Sequence, residues 1–212
     1  MKPLSDWYGI FDAKAKDLYP SSDPSHDYLH IRRVVNMAET LAQEEGADMN
    51  VVLPAAFFHD FVNVPKDDPR RKMASRLSGN AAVEYLAGLG YPAQHLEAIR
   101  HAVAAHSFSA NITPETIEAK VVQDADRLDG LGAIGIARCF STSTLMQRPY
   151  YADHDPFAEN RAHDDKLFAI DHFEVKLFKT AATMQTAAAK KEAQKRVVFM
   201  REYLKALGGE IA

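Results

Sequence analysis

The chain has 212 residues, which suits one domain with a substantial buried core, and 47% of them are hydrophobic and 25% charged, as in a globular protein. A formal net charge of −4 argues against binding a nucleic-acid polymer, so a small anionic substrate would need a local positive patch or a metal. One cysteine, Cys139, rules out an internal disulfide framework. The segment Met1–Ala15 has no basic start followed by an apolar run, and no stretch approaches the ~18 consecutive apolar residues of a membrane span. No membrane association and a cytoplasmic location are the expectation.

Along the chain the apolar period is helical. The first helix ends at the loop Pro20-Ser-Ser-Asp-Pro-Ser25. Val34, Met37 and Leu41 repeat at spacings of three and four on the second, which Gly46 closes. Asp48 can cap the third, an apolar run from Val51 to Phe58 that Asn63-Val-Pro65 should stop. Val83, Leu86 and Leu89 mark a fourth, ended by Gly88, Gly90 and Pro92; Ile99, Val103 and His106 mark a fifth. Thr113-Pro114 reads as an N-cap followed by a first-turn proline. The short β-branched runs Val121-Val122 and Val197-Val198 sit in helical surroundings and are read as helix. Residues 141–165, rich in Tyr, Asp, His and Pro, form the longest irregular stretch, a length often tied to function. The tail from Asp165 to Leu207 reads as two helices. No repeat or linker divides the chain.

His59-Asp60 closes the apolar run; His30 lies upstream, and Asp124, Asp126 and Asp129 downstream. Imidazole and carboxylate ligands suit borderline to hard divalent ions, and three or four of them leave positions for water and a phosphoryl oxygen. Singly these signals are weak, because His26-Asp27 and His163-Asp164 are also HD pairs.

The segment from Asp23 through His30 to Val34 resembles the opening helix motif of bacterial HD-domain phosphohydrolases. Ala55-Ala-Phe-Phe-His59-Asp60 resembles their namesake doublet. Residues 121–136, with Asp126, resemble the segment supplying their last ligand, and the similarity continues through Asp155-Pro-Phe157, Asp171-His-Phe173 and Lys176-Leu177. The resemblance implies an all-α helical bundle, a single HD domain over residues 1–212 with a ligand-bearing core at about 20–135 and C-terminal helices at about 165–208. It implies one divalent ion, Mn, Mg, Fe, Ni or Zn, held by His30, His59, Asp60 and Asp126. Asp124 is the alternative last ligand; it points about 200° away from Asp126 on a helix, so both cannot serve one ion. Asp129, one turn on, could orient a ligand or make a surface ion pair. His26, one turn before His30, could line the same pocket or cap the helix.

Lys66, Arg70, Arg71 and Ser75 follow the doublet, where ammonium, guanidinium and a helix-start hydroxyl suit phosphate oxygens; a solvated surface turn is the plainer reading of Arg70, Arg71 and Lys72 as a run, but their place just after the doublet favours a phosphate role for Lys66 and at least one arginine. Some nucleotidases of the superfamily carry a glutamate where this chain has Asn63, which can orient a water but cannot take a proton. Proton transfer would then fall to the activated water itself, a nearby Asp or a His. His106 is read as a pocket residue that contacts phosphate or donates a proton. His101, five residues earlier, faces another way on a regular helix, so a second metal is not demanded. Lys176 matches a lysine of the family. In the late loop Arg148, Tyr150, Tyr151, His154 and Arg161 could stack on a base and hold phosphate, pack the loop, or meet a second copy in a homodimer. The expected activity is hydrolysis of a phosphate ester or anhydride, a nucleotide above all, by metal-activated water. The rivals are a non-catalytic metal- or nucleotide-binding regulatory protein, which Asn63 favours, and a dimetal oxygenase, which needs further ligands.

Overall fold

The computed structural model of the chain describes residues 2–19, 27–62, 64, 68–107 and 110–211. Its elements are α1 (Leu4–Leu18), α2 (Tyr28–Glu45), α3 (Met49–Phe58), a 3₁₀ turn (Pro69–Met73), α4 (Ala74–Gly88), α5 (Ala93–Ala105), α6 (Ile117–Asp129), α7 (Gly132–Leu145), a π-helical turn (Phe173–Leu177) running into α8 (Phe178–Ala181), and α9 (Ala187–Ile211). The described residues contain no strand, so the fold is all-α as expected. None of the described helices is long and apolar enough to cross a membrane. The chain forms two compact units, Met1–Asp126 and Arg127–Ala212, and the boundary falls within α6.

In the first unit the ends of the helices follow from local chemistry. Asp27 caps α2 by accepting from the His30 N–H at 2.9 Å, and Asp48 caps α3 by accepting from the Asn50 N–H at 2.9 Å. Gly46 ends α2 at φ +69°, in the left-handed region where a Cβ would be strained. Gly79 has another duty. A Cβ there would come 2.9 Å from the Arg100 carbonyl oxygen, so the missing side chain is what lets α4 and α5 pack closely.

The central helix is α3, whose residues Val51 to Phe58 are all buried. A helix apolar on every side must be enclosed, and α1, α2, α4 and α5 all pack on it. Pro54 lies inside it and has no N–H to give the Asn50 carbonyl four residues back. The Tyr91 hydroxyl donates to that orphaned carbonyl at 2.7 Å, which keeps a proline tolerable there. Phe11 of α1 packs against Phe57 and Phe58 at centroid distances of 6.0 and 5.3 Å.

Several boundaries differ from expectation. Helix α3 ends at Phe58, before the predicted stop at residues 63–65, because His59 and Asp60 form a turn with the Phe61 N–H closing on the Phe58 carbonyl at 3.1 Å. The start of α6 is not at Thr113-Pro114 but three residues later. Thr116 is its cap, its hydroxyl accepting from the Ala119 N–H at 3.2 Å, while the Glu115 N–H is held outside the helix by His101 Nε2 at 3.0 Å. In the second unit α7 runs to Leu145, into the stretch expected to be irregular, and the first of the two predicted tail helices is a short one built on the π turn.

Helices α7 and α9 pack together in that second unit. The segment after α7 is fastened by polar contacts. Arg148 donates to the Asp165 carbonyl at 2.7 Å, Arg161 grips the Asp171 carboxylate through both terminal nitrogens, and the Asp164 N–H reaches the same carboxylate at 2.6 Å. Of the alternatives for Arg148 and Arg161, loop packing is therefore what their guanidinium groups do. Tyr150 packs edge-on against Phe140 at 4.9 Å, and His154 is nearly fully exposed beside Asp153.

Cys139 on α7 donates its thiol to the Ala169 carbonyl at 3.4 Å, and burial pushes its pKa up to about 11. The folded chain should therefore not react with a disulfide reagent such as DTNB at pH 8, and one thiol per chain should appear in guanidinium. Because the folded thiol keeps its proton where an unfolded one, with a pKa of about 8.5, ionises, this group also lowers stability as pH rises from about 9 toward 11. Rapid labelling of the native chain would show that the packing around Cys139 opens.

Candidate metal centre

Three helix ends and one helix face of the first unit meet at a cluster of imidazoles and carboxylates. His30 stands in the first turn of α2, His59 and Asp60 in the turn that ends α3, His106 just past the end of α5, and Asp126 on α6. His30, His59 and Asp60 each offer a donor atom, all within 4.8 Å of one another. Asp126 Oδ1 lies 3.6 Å from His30 Nε2 and 3.8 Å from His59 Nε2. Asp60 reaches both ways, with Oδ2 3.8 Å from His59 Nε2 and Oδ1 3.5 Å from His106 Nε2. The His59 ring meets His30 and His106 edge-on, at centroid distances of 5.4 and 5.0 Å.

Two of the imidazoles are oriented by the same local device. His59 Nδ1 lies 2.9 Å from the Ala56 carbonyl, and His106 Nδ1 lies 2.6 Å from the Val103 carbonyl, each three residues back at a helix end. A carbonyl only accepts, so Nδ1 holds a proton in both; His59 Nε2 then turns a lone pair toward the cluster, while His106 Nε2 faces the Asp60 carboxylate. These contacts also satisfy carbonyls that a helix C-terminus leaves without partners. Burial lowers the pKa of His59 despite the opposing charges of Asp60 and Asp126, which keeps it neutral. His106 is as deeply buried, which lowers its pKa, yet the hydrogen bond and charge of Asp60, the charge of Asp126 and the Val103 carbonyl together raise it.

The donor set fits a divalent ion. His59 Nε2 is buried and has no hydrogen-bond partner among the described residues, a costly arrangement for a lone pair unless something occupies it. Ligands about 2.1 Å from one ion lie up to about 4.2 Å apart, and the separations of 3.6 to 3.8 Å fall within that span. Two or three imidazoles with one or two carboxylates leave the metal's identity open within the borderline and hard ions.

Asp126, rather than Asp124, points at the histidines. Asp124 is fully buried on another side of α6, as the helical angle between them requires. His101 does not join the cluster, since its Nε2 accepts from the Glu115 N–H. Ser75 is buried in the first turn of α4, and its hydroxyl has no hydrogen-bond partner among the described residues. Arg70 is paired with Asp68 at 2.8 Å, and Arg71 donates to the Val64 carbonyl, so both arginines fasten the segment that they belong to. Asp129 and Lys176 belong to the second unit, where Asp129 is buried and paired with Arg138 and Lys176 is exposed on the π turn. His26, Asn63 and Lys66 lie outside the described residues.

Two supports were not foreseen. Ser78 Oγ accepts from the Val62 N–H at 3.0 Å and so ties α4 to the segment just after the doublet. Gln123 is buried on α6 and donates to the Ala105 carbonyl at 2.7 Å, next to His106. A lone Ser or Gln on an amphipathic helix carries no sequence signal for such a contact, which exists only once two helices meet.

A helical bundle with a His, His-Asp and Asp set on separate helices defines the class, and the comparisons agree with it. A family model for the HD domain matches residues 27–131. The Bacillus subtilis protein YpgQ, described as uncharacterized, is 31% identical over 190 residues, covering 88% of this chain and 84% of its own. The solved structure of B. subtilis YpgQ in complex with ADP superposes with a TM-score of 0.75 at 32% identity, over 96% of this chain and 97% of that one. A structure described as an HD-superfamily hydrolase, from Bacillus thuringiensis, gives a TM-score of 0.76 at 28% identity and covers 98% of both chains. The chain belongs to the HD-domain superfamily.

Proposed function

We propose that this chain is a metal-dependent phosphohydrolase that cleaves a phosphate ester or anhydride of a nucleotide. The observation that carries the reading is His59, a neutral, buried imidazole whose Nε2 faces His30, Asp60 and Asp126 with no hydrogen-bond partner among the described residues. The nucleotide part of the reading is supported by the ADP in the YpgQ complex. His30, His59, Asp60 and Asp126 would hold the ion, which when bound supplies a Lewis acid for a phosphoryl oxygen and lowers the pKa of a water.

The chain's own residues have distinct work in this reading. Asp60 links the ion site to His106, whose Nε2 can hold or release a proton 3.5 Å from Asp60 Oδ1. Ser75 Oγ, buried in the first turn of α4 with no hydrogen-bond partner among the described residues, can accommodate a phosphate oxygen. Lys66 and the arginines Arg70 and Arg71 would add positive charge along the same segment, with Asn63 orienting a water. Purified chain stripped with EDTA and resupplied with Mn, Mg, Fe, Ni or Zn should release phosphate or pyrophosphate from at least one nucleotide with at least one of these ions. Tight nucleotide binding with no turnover under any of them would favour the regulatory alternative instead.

A further inference from the structure

Helix α1 precedes the stretch that matches the HD family model, yet it ends on the metal doublet. Tyr19, its C-cap residue, is buried, and its hydroxyl donates to the Phe57 carbonyl at 3.2 Å. A continuing α-helix would give the Phe57 carbonyl to the Phe61 N–H, four residues on. Here the Phe61 N–H closes on the Phe58 carbonyl instead, and the Tyr19 phenol takes the Phe57 carbonyl.

The last carbonyls of α3 are thereby each accounted for. Ala56 receives His59 Nδ1, Phe57 receives Tyr19, and Phe58 receives the Phe61 N–H. Each of these bonds fixes the turn that carries His59 and Asp60. The base of the tyrosine is itself held firmly. Tyr8 and Phe11 of α1 pack on Phe57 at 5.2 and 6.0 Å, and Asp12 accepts from the Tyr28 hydroxyl of α2 while Lys16 pairs with Asp12 at 2.9 Å. The helix that bears His30 and the helix that leads to His59 are thus both fastened to α1.

We propose that Tyr19 is a positioning residue for the metal doublet: its hydroxyl, by taking the Phe57 carbonyl, fixes the turn in which Asp60 can share an ion with His59. This rests on the metal-centre reading above. A merely structural role has a built-in comparison in this protein. Tyr91 makes the same kind of bond to the same helix, from its hydroxyl to the Asn50 carbonyl, at the end away from the doublet.

The test is calorimetric titration of the metal-free full chain with Mn²⁺. Tyr19→Phe should bind Mn²⁺ about 10-fold more weakly than wild type, the low end of what loss of a ligand-orienting hydrogen bond costs. Tyr91→Phe should bind as wild type does, although both variants lose thermal stability in EDTA. Equal affinities for Tyr19→Phe and wild type would overturn the proposal alone; no binding by wild type would overturn the metal reading and the proposal with it. Should Tyr19→Phe not fold, 3-fluorotyrosine placed at position 19 alone should show a ¹⁹F shift on adding Mg²⁺ that the same label at position 91 does not. Indistinguishable responses at the two positions would overturn the proposal.

Discussion

Asp60→Ala is expected to lower kcat/KM for the proposed nucleotide hydrolysis about 10³-fold, a loss of about 4 kcal/mol of transition-state stabilisation at 1.36 kcal/mol per decade. The Asp60 carboxylate reaches both His59 and His106, so its removal would deprive the proposed ion site of a donor and His106 of a partner together. The side chain is partly exposed, and the backbone of the turn keeps its own hydrogen bonds, so the fold should survive. Circular dichroism should show an unchanged helical spectrum, and the stabilisation that the wild-type chain gains from added metal should largely vanish. Undiminished turnover in a folded Asp60→Ala protein would remove Asp60 from the site.

A loss of comparable size, in stability rather than rate, is expected for Asp171→Ala in the second unit. The Asp171 carboxylate is buried and receives three hydrogen bonds, two from Arg161 and one from the Asp164 N–H. Arg161 also donates to the Asp155 carbonyl at 3.1 Å and lies over the Phe168 ring at 4.7 Å. Removing one member of such a pair strands the other charge and a backbone N–H, which costs about 3–5 kcal/mol. Urea unfolding of the metal-free chain should show this, with Asp171→Asn falling between the variant and wild type because the amide keeps one acceptor. A change below about 1 kcal/mol would mean that the segment between α7 and the π turn is held by its other contacts.

Much of the site was legible in the order of its residues. His30 sits in a helix pattern, His59-Asp60 at the end of an apolar run, and Asp126 in a later helix whose period separates it from Asp124. His106 was legible as a pocket residue but not as the partner of Asp60. The supports were not legible. Tyr19, Ser78 and Gln123 act through a backbone carbonyl or N–H of a different element, and backbone groups are the same at every position of a sequence.

What the sequence by itself determined is the all-α class, since 3.6-residue periodicity, Gly46 and Asp48 are local instructions that need no partner; it also offered a shortlist of candidate metal ligands. Only the tertiary structure decided where the helices stop and which members of the shortlist meet. The turn at His59-Asp60 ends α3 early because His59 Nδ1 and Tyr19 take the carbonyls that further helix would have used. His101 is drawn off to a backbone N–H of the segment before α6, while His106 turns inward to Asp60. Both choices depend on which elements lie close in space, and the spacing of residues along one chain carries no record of that.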